Sequence, residues 1–293
     1  MSERLAFIGL GIMGGPMAGH LLAAGHAVTV NTRSRARAES LIAKGARWAE
    51  TPAAAASAAD VVFVCVPDTP DVESVVLGTQ GILSTARPDT VVVDHSTISP
   101  AATRKMNAAL VVRGAHLLDA PVSGGDVGAR NATLAIMVGG DQTAFDRVKP
   151  LLSHMGKTIT WCGPSGAGQL TKIVNQILVS VTNLAVCEAL AFARASGLDE
   201  QKSITAVAGG AAGSWQLANL GPRMVKGDFA PGFMIKLQVK DLRLALEAAR
   251  EVGLDLPALN LVQSLFTRAM KDGRGNEGTQ ALFEVVNQAA RSK

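Results

Sequence analysis

An α/β protein, with an N-terminal doubly wound parallel sheet followed by an all-α C-terminal domain, is the fold class that three observations predict. Short β-rich apolar runs alternate with amphipathic stretches through residues 1–163. A Gly163-Pro164-Ser165-Gly166 segment then interrupts the pattern. Beyond it, Leu170, Ile173, Val174, Ile177, Val181 and Leu184 recur at spacings of three and four. The β-rich runs are Leu5–Ile8 and residues 27–30, 61–66, 90–94, 116–118, 133–138 and 158–161, with helical patterns between them. Ala-rich residues 52–59 read as one such helix, made of good helix formers. The second part opens with a helix over 169–195, and no strand is expected after it. The 293 residues divide into domains at 1–163 and 164–293.

Composition narrows the function classes. Hydrophobic residues at 48% and charged residues at 18% describe an ordinary globular chain. Aromatics at 4%, with no Tyr, argue against a base-stacking surface. A net charge of +4 suits small anions and is too scattered for nucleic acid. Cys65, Cys162 and Cys187 form no CxxC pair, which speaks against a disulfide framework and a cysteine zinc site. The histidines, at 20, 26, 95, 116 and 154, lack ligand spacing, so no metal is expected. The N-terminal apolar run is a strand without a basic leader. Residues 173–195 are broken by Asn175, Gln176, Ser180, Thr182, Asn183, Glu188 and Arg194, so no membrane span is expected and the chain is assigned to the cytoplasm.

Gly9-Leu10-Gly11-Ile12-Met13-Gly14 follows the first strand and opens a helix through Met17, Leu21 and Leu22, the context of a Rossmann dinucleotide site. The first glycine permits the tight turn, the second lets a pyrophosphate reach the backbone, and the third lets helix and strand pack closely. A ligand-free glycine turn is the alternative, and the strand-to-helix context weighs against it. The second strand ends in Asn31, followed by Thr32, Arg33 and Ser34, where an NAD enzyme places an acidic residue. With no carboxylate to repel a 2′-phosphate, and a guanidinium to bond it, NADP is favoured over NAD. Arg35 and Arg37 read as a solvated helix start.

Further along, Asp119-Ala120-Pro121-Val122-Ser123-Gly124-Gly125 reads as a strand ending in a turn. Its Ser123 hydroxyl and the Gly124 and Gly125 N–H groups could form an anion nest, and an unliganded turn is an equal reading. Gly166-Ala167-Gly168-Gln169-Leu170-Thr171-Lys172 leads into the long helix, where Lys172, Asn175 and Gln176 share a face. Burial of a lysine among apolar neighbours makes its ammonium a better proton donor, so Lys172 is the candidate general acid; a snorkelling surface lysine is the alternative. Ser96 and Thr97, and likewise Val66 and Pro67, sit at the C-terminal ends of strands, where open parallel sheets bind ligands; Ser96 or Thr97 also suits a helix N-cap. Lys240 falls away from the stripe of Val239, Leu242, Leu246 and Ala249, which points it to solvent.

Four segments, GLGIMGGPMAGHLL, DHSTISP, DAPVSGG and GAGQLTKIVNQ, follow one another in this order, and with them the chain resembles the β-hydroxyacid dehydrogenase family. That family includes 3-hydroxyisobutyrate dehydrogenase, tartronate semialdehyde reductase and glyoxylate/succinic semialdehyde reductase. The resemblance runs from Phe7 to beyond Lys240-Asp241-Leu242. It implies a Rossmann domain, a helical C-terminal domain, and reversible hydride transfer between a nicotinamide and a small hydroxy acid. By the same resemblance, Lys172 is catalytic, Ser123, Gly124 and Gly125 take the substrate carboxylate, and Thr97 contacts the cofactor. Lys240 and Asp241 close over the cofactor from the second domain, with Phe233 beside the substrate. Many members carry Asn four residues after the lysine; here Gln176 stands there and Asn175 precedes it, so the orienting amide is one of these two.

The leading expectation is an NADPH-dependent reductase of a small anionic semialdehyde acid, with 3-hydroxyisobutyrate dehydrogenase activity as runner-up. A non-catalytic nucleotide-binding module is the alternative from another class, against which Lys172 and Ser123 argue. The long helix is apolar on more than one face, which predicts a homodimer or homotetramer.

Overall fold

A computed structural model describes residues 3–291. The chain forms two compact units, Met1–Lys172 and Ile173–Lys293, which meet inside a helix, nine residues beyond the 163/164 boundary read from the sequence.

In the first unit β1 (Leu5–Ile8), α1 (Gly14–Ala23), β2 (Val28–Asn31), α2 (Glu39–Ile42), β3 (Arg47–Trp48), α3 (Pro52–Ala56) and β4 (Val61–Val64) come first. They are followed by α4 (Thr69–Leu77), β5 (Val91–Asp94), α5 (Pro100–Val111), β6 (His116–Asp119), β7 (Val122–Ser123), α6 (Gly125–Arg130), β8 (Leu134–Gly139), α7 (Gln142–Leu152) and β9 (Gly156–Gly163). The described residues build a nine-stranded sheet in the order β3-β2-β1-β4-β5-β6-β8-β7, with β9 beside β8. Strand order reverses at β1, the switch point where open α/β sheets take their ligands.

The sheet is mixed, not wholly parallel: β8 runs antiparallel to β6 and β7. Only ten residues separate Ser123 from Leu134, too few for a right-handed crossover, so the chain folds back on itself. Alternation along the buried strands feeds two cores. Leu5, Phe7, Phe63 and Val93 pack with Met17 and Leu21 on one face. Ala6, Ile8, Val62 and Val92 pack with Met106 and Leu110 on the other, as a sheet covered on both sides requires. On the first face Phe7, Phe63 and His95 stack in a row, 5.8 Å between successive ring centroids. The helix expected over 52–59 ends at Ala56.

The long helix α8 (Ala167–Ala195) carries the chain into the second unit, followed by α9 (Glu200–Ala208), α10 (Gly221–Lys226), α11 (Ile235–Glu251), α12 (Pro257–Lys271) and α13 (Leu282–Arg291). Its core is aliphatic with two rings: Leu184, Leu190, Leu242 and Val262 around Phe266 and Phe283. By length and composition α8 could cross a membrane, but half of its most apolar stretch is buried inside the protein. Its Gln176, Ser180 and Asn183 are also buried, and Asn183 donates to the Thr279 carbonyl at 2.9 Å. Those are the features of a core helix.

Candidate active site

At the first turn, Gly9 has φ +95°, and a Cβ there would collide with the Cys65 carbonyl oxygen. A Cβ on Gly14 would collide with the Gly9 carbonyl oxygen and lie 3.0 Å from the Phe7 ring. These two glycines are demanded by the fold. Gly11 is different: a Cβ there meets nothing within 4 Å, so its bareness is of use only to something that approaches from outside. Leu10 is buried, Ile12 exposed and Met13 half-buried, and no side chain caps α1. An uncapped helix N-terminus behind an open glycine fits the pyrophosphate of a dinucleotide.

Beyond β2, Asn31 turns inward and donates to the Ala49 carbonyl at 2.9 Å. Thr32 is half-buried, and Arg33 and Ser34 are exposed. The Arg33 side chain is 84% exposed and stands 3.6 Å from Asp71 on α4. At the ends of β4 and β5, the Ser96 hydroxyl accepts from the Val66 N–H at 2.9 Å; Pro67 is exposed and Thr97 half-buried. The N-cap of α5 is Ser99, which accepts from the Ala102 N–H at 3.3 Å, and not Ser96 or Thr97. Pro100, at the first helical position, fixes the helix start one residue after Ser99.

At the end of β6 the chain passes through β7 into two successive left-handed glycines, Gly124 (φ +129°) and Gly125 (φ +61°). The buried Asp119 carboxylate accepts the Gly166 N–H and the Gln169 N–H, each at 2.8 Å. Burial pushes this carboxyl above the usual carboxylate range, and the main-chain donors of Gly166, Gln169 and Gly168 pull it back. Gln169 accepts from the Ile98 N–H at 3.1 Å and donates to the Ser96 carbonyl at 2.8 Å. One turn of α8 further, Lys172 is 7% exposed and its Nζ donates to the Val122 carbonyl at 2.8 Å, on the strand that ends in Ser123. The sequence reading left Asp119 and Gln169 without roles. The signal was available in each: an acid closing an apolar strand, and a glutamine in the first turn of an apolar helix. His95, just beyond β5, is fully buried with Nδ1 against the Ala120 carbonyl at 2.7 Å, and burial holds its pKa down to about 4.

In the second unit, four residues form a chain of polar contacts. Asn175 donates to Gln176 Oε1 at 2.7 Å, Gln176 Nε2 donates to Asp241 Oδ2 at 2.6 Å, and Lys240 Nζ lies 3.0 Å from Asp241 Oδ1. Lys240 therefore does not point to solvent as its helical position led us to expect. Its side chain is 13% exposed, because the adjacent buried carboxylate draws it inward. Phe233 is half-buried, and its carbonyl accepts from the Thr279 N–H at 3.0 Å.

Comparison with known proteins bears on both units. Residues 4–163 match the family model for the NAD binding domain of 6-phosphogluconate dehydrogenase. Residues 166–286 match the one described as NAD-binding of NADP-dependent 3-hydroxyisobutyrate dehydrogenase. The chain is 43% identical over 290 residues to 2-hydroxy-3-oxopropionate reductase of Escherichia coli, covering 99% of each chain. It is 39% identical over 292 residues to NAD-dependent L-serine dehydrogenase of Pseudomonas aeruginosa, covering 96% of this chain and 98% of that one. Among solved structures, 3-hydroxyisobutyrate dehydrogenase of Mycobacterium tuberculosis with L-serine shares 33% identity and a TM-score of 0.89, over 98% of this chain and 99% of that one.

Proposed function

The chain belongs to the β-hydroxyacid dehydrogenase family of NAD(P)-dependent oxidoreductases acting on a hydroxyl group, and from that premise we propose that it reduces a short semialdehyde acid, of the tartronate, succinic or glyoxylate type, with NADPH. The observation that carries this reading is the buried Lys172 ammonium, hydrogen-bonded to the strand that ends in Ser123. When bound, the nicotinamide supplies a hydride to the carbonyl carbon. Lys172 gives a proton to the carbonyl oxygen as negative charge builds there, C=O becomes C–OH, and the neutral amine regains a proton from water. The Ser123 hydroxyl and the Gly124 and Gly125 N–H groups hold the substrate carboxylate. Asn175, Gln176, Phe233 and Asp241 recognise the rest of the substrate. Gln176 is engaged at both ends of its amide, so Asn175 is the better candidate to orient the carbonyl.

Gly9, Leu10, Gly11, Ile12, Met13 and Gly14 hold the cofactor pyrophosphate, and Val66, Pro67, Thr97 and Lys240 its nicotinamide half. Thr32, Arg33 and Ser34 take the 2′-phosphate, a charge-assisted contact that NADH cannot make. The exposed Leu170, Val174, Leu178 and Phe192 of α8 support a homodimer or homotetramer. The three free cysteines suit the cytoplasm.

A second reading, oxidation of a 3-hydroxy acid, is favoured by the likeness to an L-serine dehydrogenase and to a structure holding L-serine. The same residues serve it in reverse, with the Lys172 amine taking the hydroxyl proton. The test is a panel of initial rates. Glyoxylate and tartronate, succinic and methylmalonate semialdehydes are run with NADPH and NADH, and L-serine and 3-hydroxyisobutyrate with NADP⁺ and NAD⁺. Preference for a semialdehyde with NADPH is expected, preference for a hydroxy acid with NAD⁺ overturns it, and silence throughout returns the non-catalytic module.

A further inference from the structure

Asp119 closes β6 as a carboxylate in a place shaped around it. The main chain closes tightly on it: a Cβ on Gly139 would lie 2.6 Å from the Gly168 nitrogen and 2.7 and 2.8 Å from the two carboxylate oxygens, and one on Gly168 2.5 Å from the Asp119 and Met137 carbonyl oxygens and 2.9 Å from Oδ2. Burying a carboxylate is unfavourable unless something answers its charge. Here the answer is the start of α8: the N–H of Gly166, the residue before the helix, and that of Gln169 in its first turn point at the two oxygens, and the helix end carries partial positive charge. The Gln169 side chain ties the same turn to Ile98 and Ser96. A helix anchored through its main chain at two points can neither rotate about its axis nor slide along it. Three residues on from Gln169, the Lys172 ammonium meets the Val122 carbonyl.

We propose that Asp119 is the positioning residue for Lys172: by gripping the first turn of α8 it sets the helix rotation that delivers the ammonium to its place beside β7. The inference rests on Lys172 being the general acid. Asp119→Asn keeps the shape and replaces one acceptor oxygen by an NH₂ group facing an N–H donor. NADPH affinity, read by fluorescence titration, is expected to stay within about twofold of wild type, since the glycine turn is untouched. Turnover per bound NADPH is expected to fall by roughly 10- to 100-fold with the substrate KM nearly unchanged, the mark of a displaced reacting group. Amide hydrogen exchange at residues 166–169 is expected to quicken.

A merely structural Asp119 would lower the fraction of enzyme that binds NADPH and leave turnover per binding site alone, and that result overturns the proposal. If Asp119→Asn does not fold, Gln169→Met decides: it removes only the two neutral side-chain tethers, and turnover per site must still fall at least about threefold. Lys172→Ala separates the two readings. Wild-type turnover in that variant sinks the general-acid role and this inference with it, whereas an inactive Lys172→Ala beside a fully active Asp119→Asn sinks this inference alone.

Discussion

Asp119 in the sheet unit and Asp241 in the helical unit are both buried carboxylates, held in opposite ways. Asp119 is met by main-chain N–H groups, Asp241 by the side chains of Gln176 and Lys240. Main-chain donors arrive with the fold and have no rotamers left to lose. Side-chain donors must be ordered and can be re-sorted when a ligand offers a better partner. On the proposed reading, the sheet unit thus carries what must not move, Lys172 as proton donor and the glycine turn. The helical unit carries what can adapt, Asn175, Gln176 and Asp241 among the residues proposed for substrate recognition, while Ser123, Gly124 and Gly125 stay with the sheet. Fully buried Gln238, whose amide has no hydrogen-bond partner among the described residues, fits the looser regime.

The comparison breaks most visibly at Lys172. Lys172→Ala is expected to lower turnover by about two to four orders of magnitude while binding NADPH as the wild type does. Near-normal rates at saturating substrate would reduce the sheet unit to a cofactor cradle.

Acid sharpens it next. All five histidines lie in the sheet unit, and His95 stays neutral in the folded protein down to about pH 4, whereas the unfolded chain takes up the proton near 6.5. The stability this group contributes is intact above pH 6.5 and drains away as pH falls, the loss approaching about 3 kcal/mol by pH 4. Urea unfolding at pH 7 and pH 4.5 measures it, and equal stabilities at the two would contradict the assignment.

Within the glycine turn, steric demand and ligand demand separate. Gly14→Ala is expected to destabilise by about 1–3 kcal/mol, because its new methyl meets the Gly9 carbonyl. Gly11→Ala should melt like the wild type yet bind NADPH about tenfold more weakly, a change of about 1.4 kcal/mol. Calorimetry and cofactor titration on the pair decide it; an unaffected Gly11→Ala would mean that no phosphate approaches there.

The smallest effects, each about tenfold, fall in different Michaelis constants. Arg33→Ala should raise KM for NADPH and spare NADH. Asp241→Asn should raise KM for the substrate more than KM for the cofactor, which it touches only through Lys240, and an unchanged substrate KM would remove the adaptive role of the helical unit.

Legibility in the sequence followed how local each signal is. Strand β1 and the glycine turn could be read because neighbouring residues carry the whole signal: an apolar run, then glycines at fixed spacing. The two-residue strand β3 could not, since pairing that short depends on what lies alongside, and residues 119–125, read as one strand ending in a turn, are divided between β6 and β7. Ser99 was hidden among three hydroxyl residues, Ser96, Thr97 and Ser99, although Pro100 marked the helix start. The Lys240 periodicity described only its own helix and was blind to the pull of Asp241 and to Gln176, 65 positions away from that acid. Asp119 and Gln169 lay inside motifs that had been recognised, yet their partners are main-chain atoms that no residue pattern names.

That last point has a consequence for how this protein can drift over generations. The grip on Asp119 is made by the peptide N–H groups of residues 166 and 169, which every residue except proline offers, and not by their side chains. The glycines at 139 and 168 are held by the main chain as well as by the acid: a Cβ on Gly139 would lie 2.6 Å from the Gly168 nitrogen, and one on Gly168 2.5 Å from the carbonyl oxygens of Asp119 and Met137, so both stay bare whatever stands at 119. In a saturation library scored for survival, 139 and 168 should stay glycine whether or not 119 stays an acid.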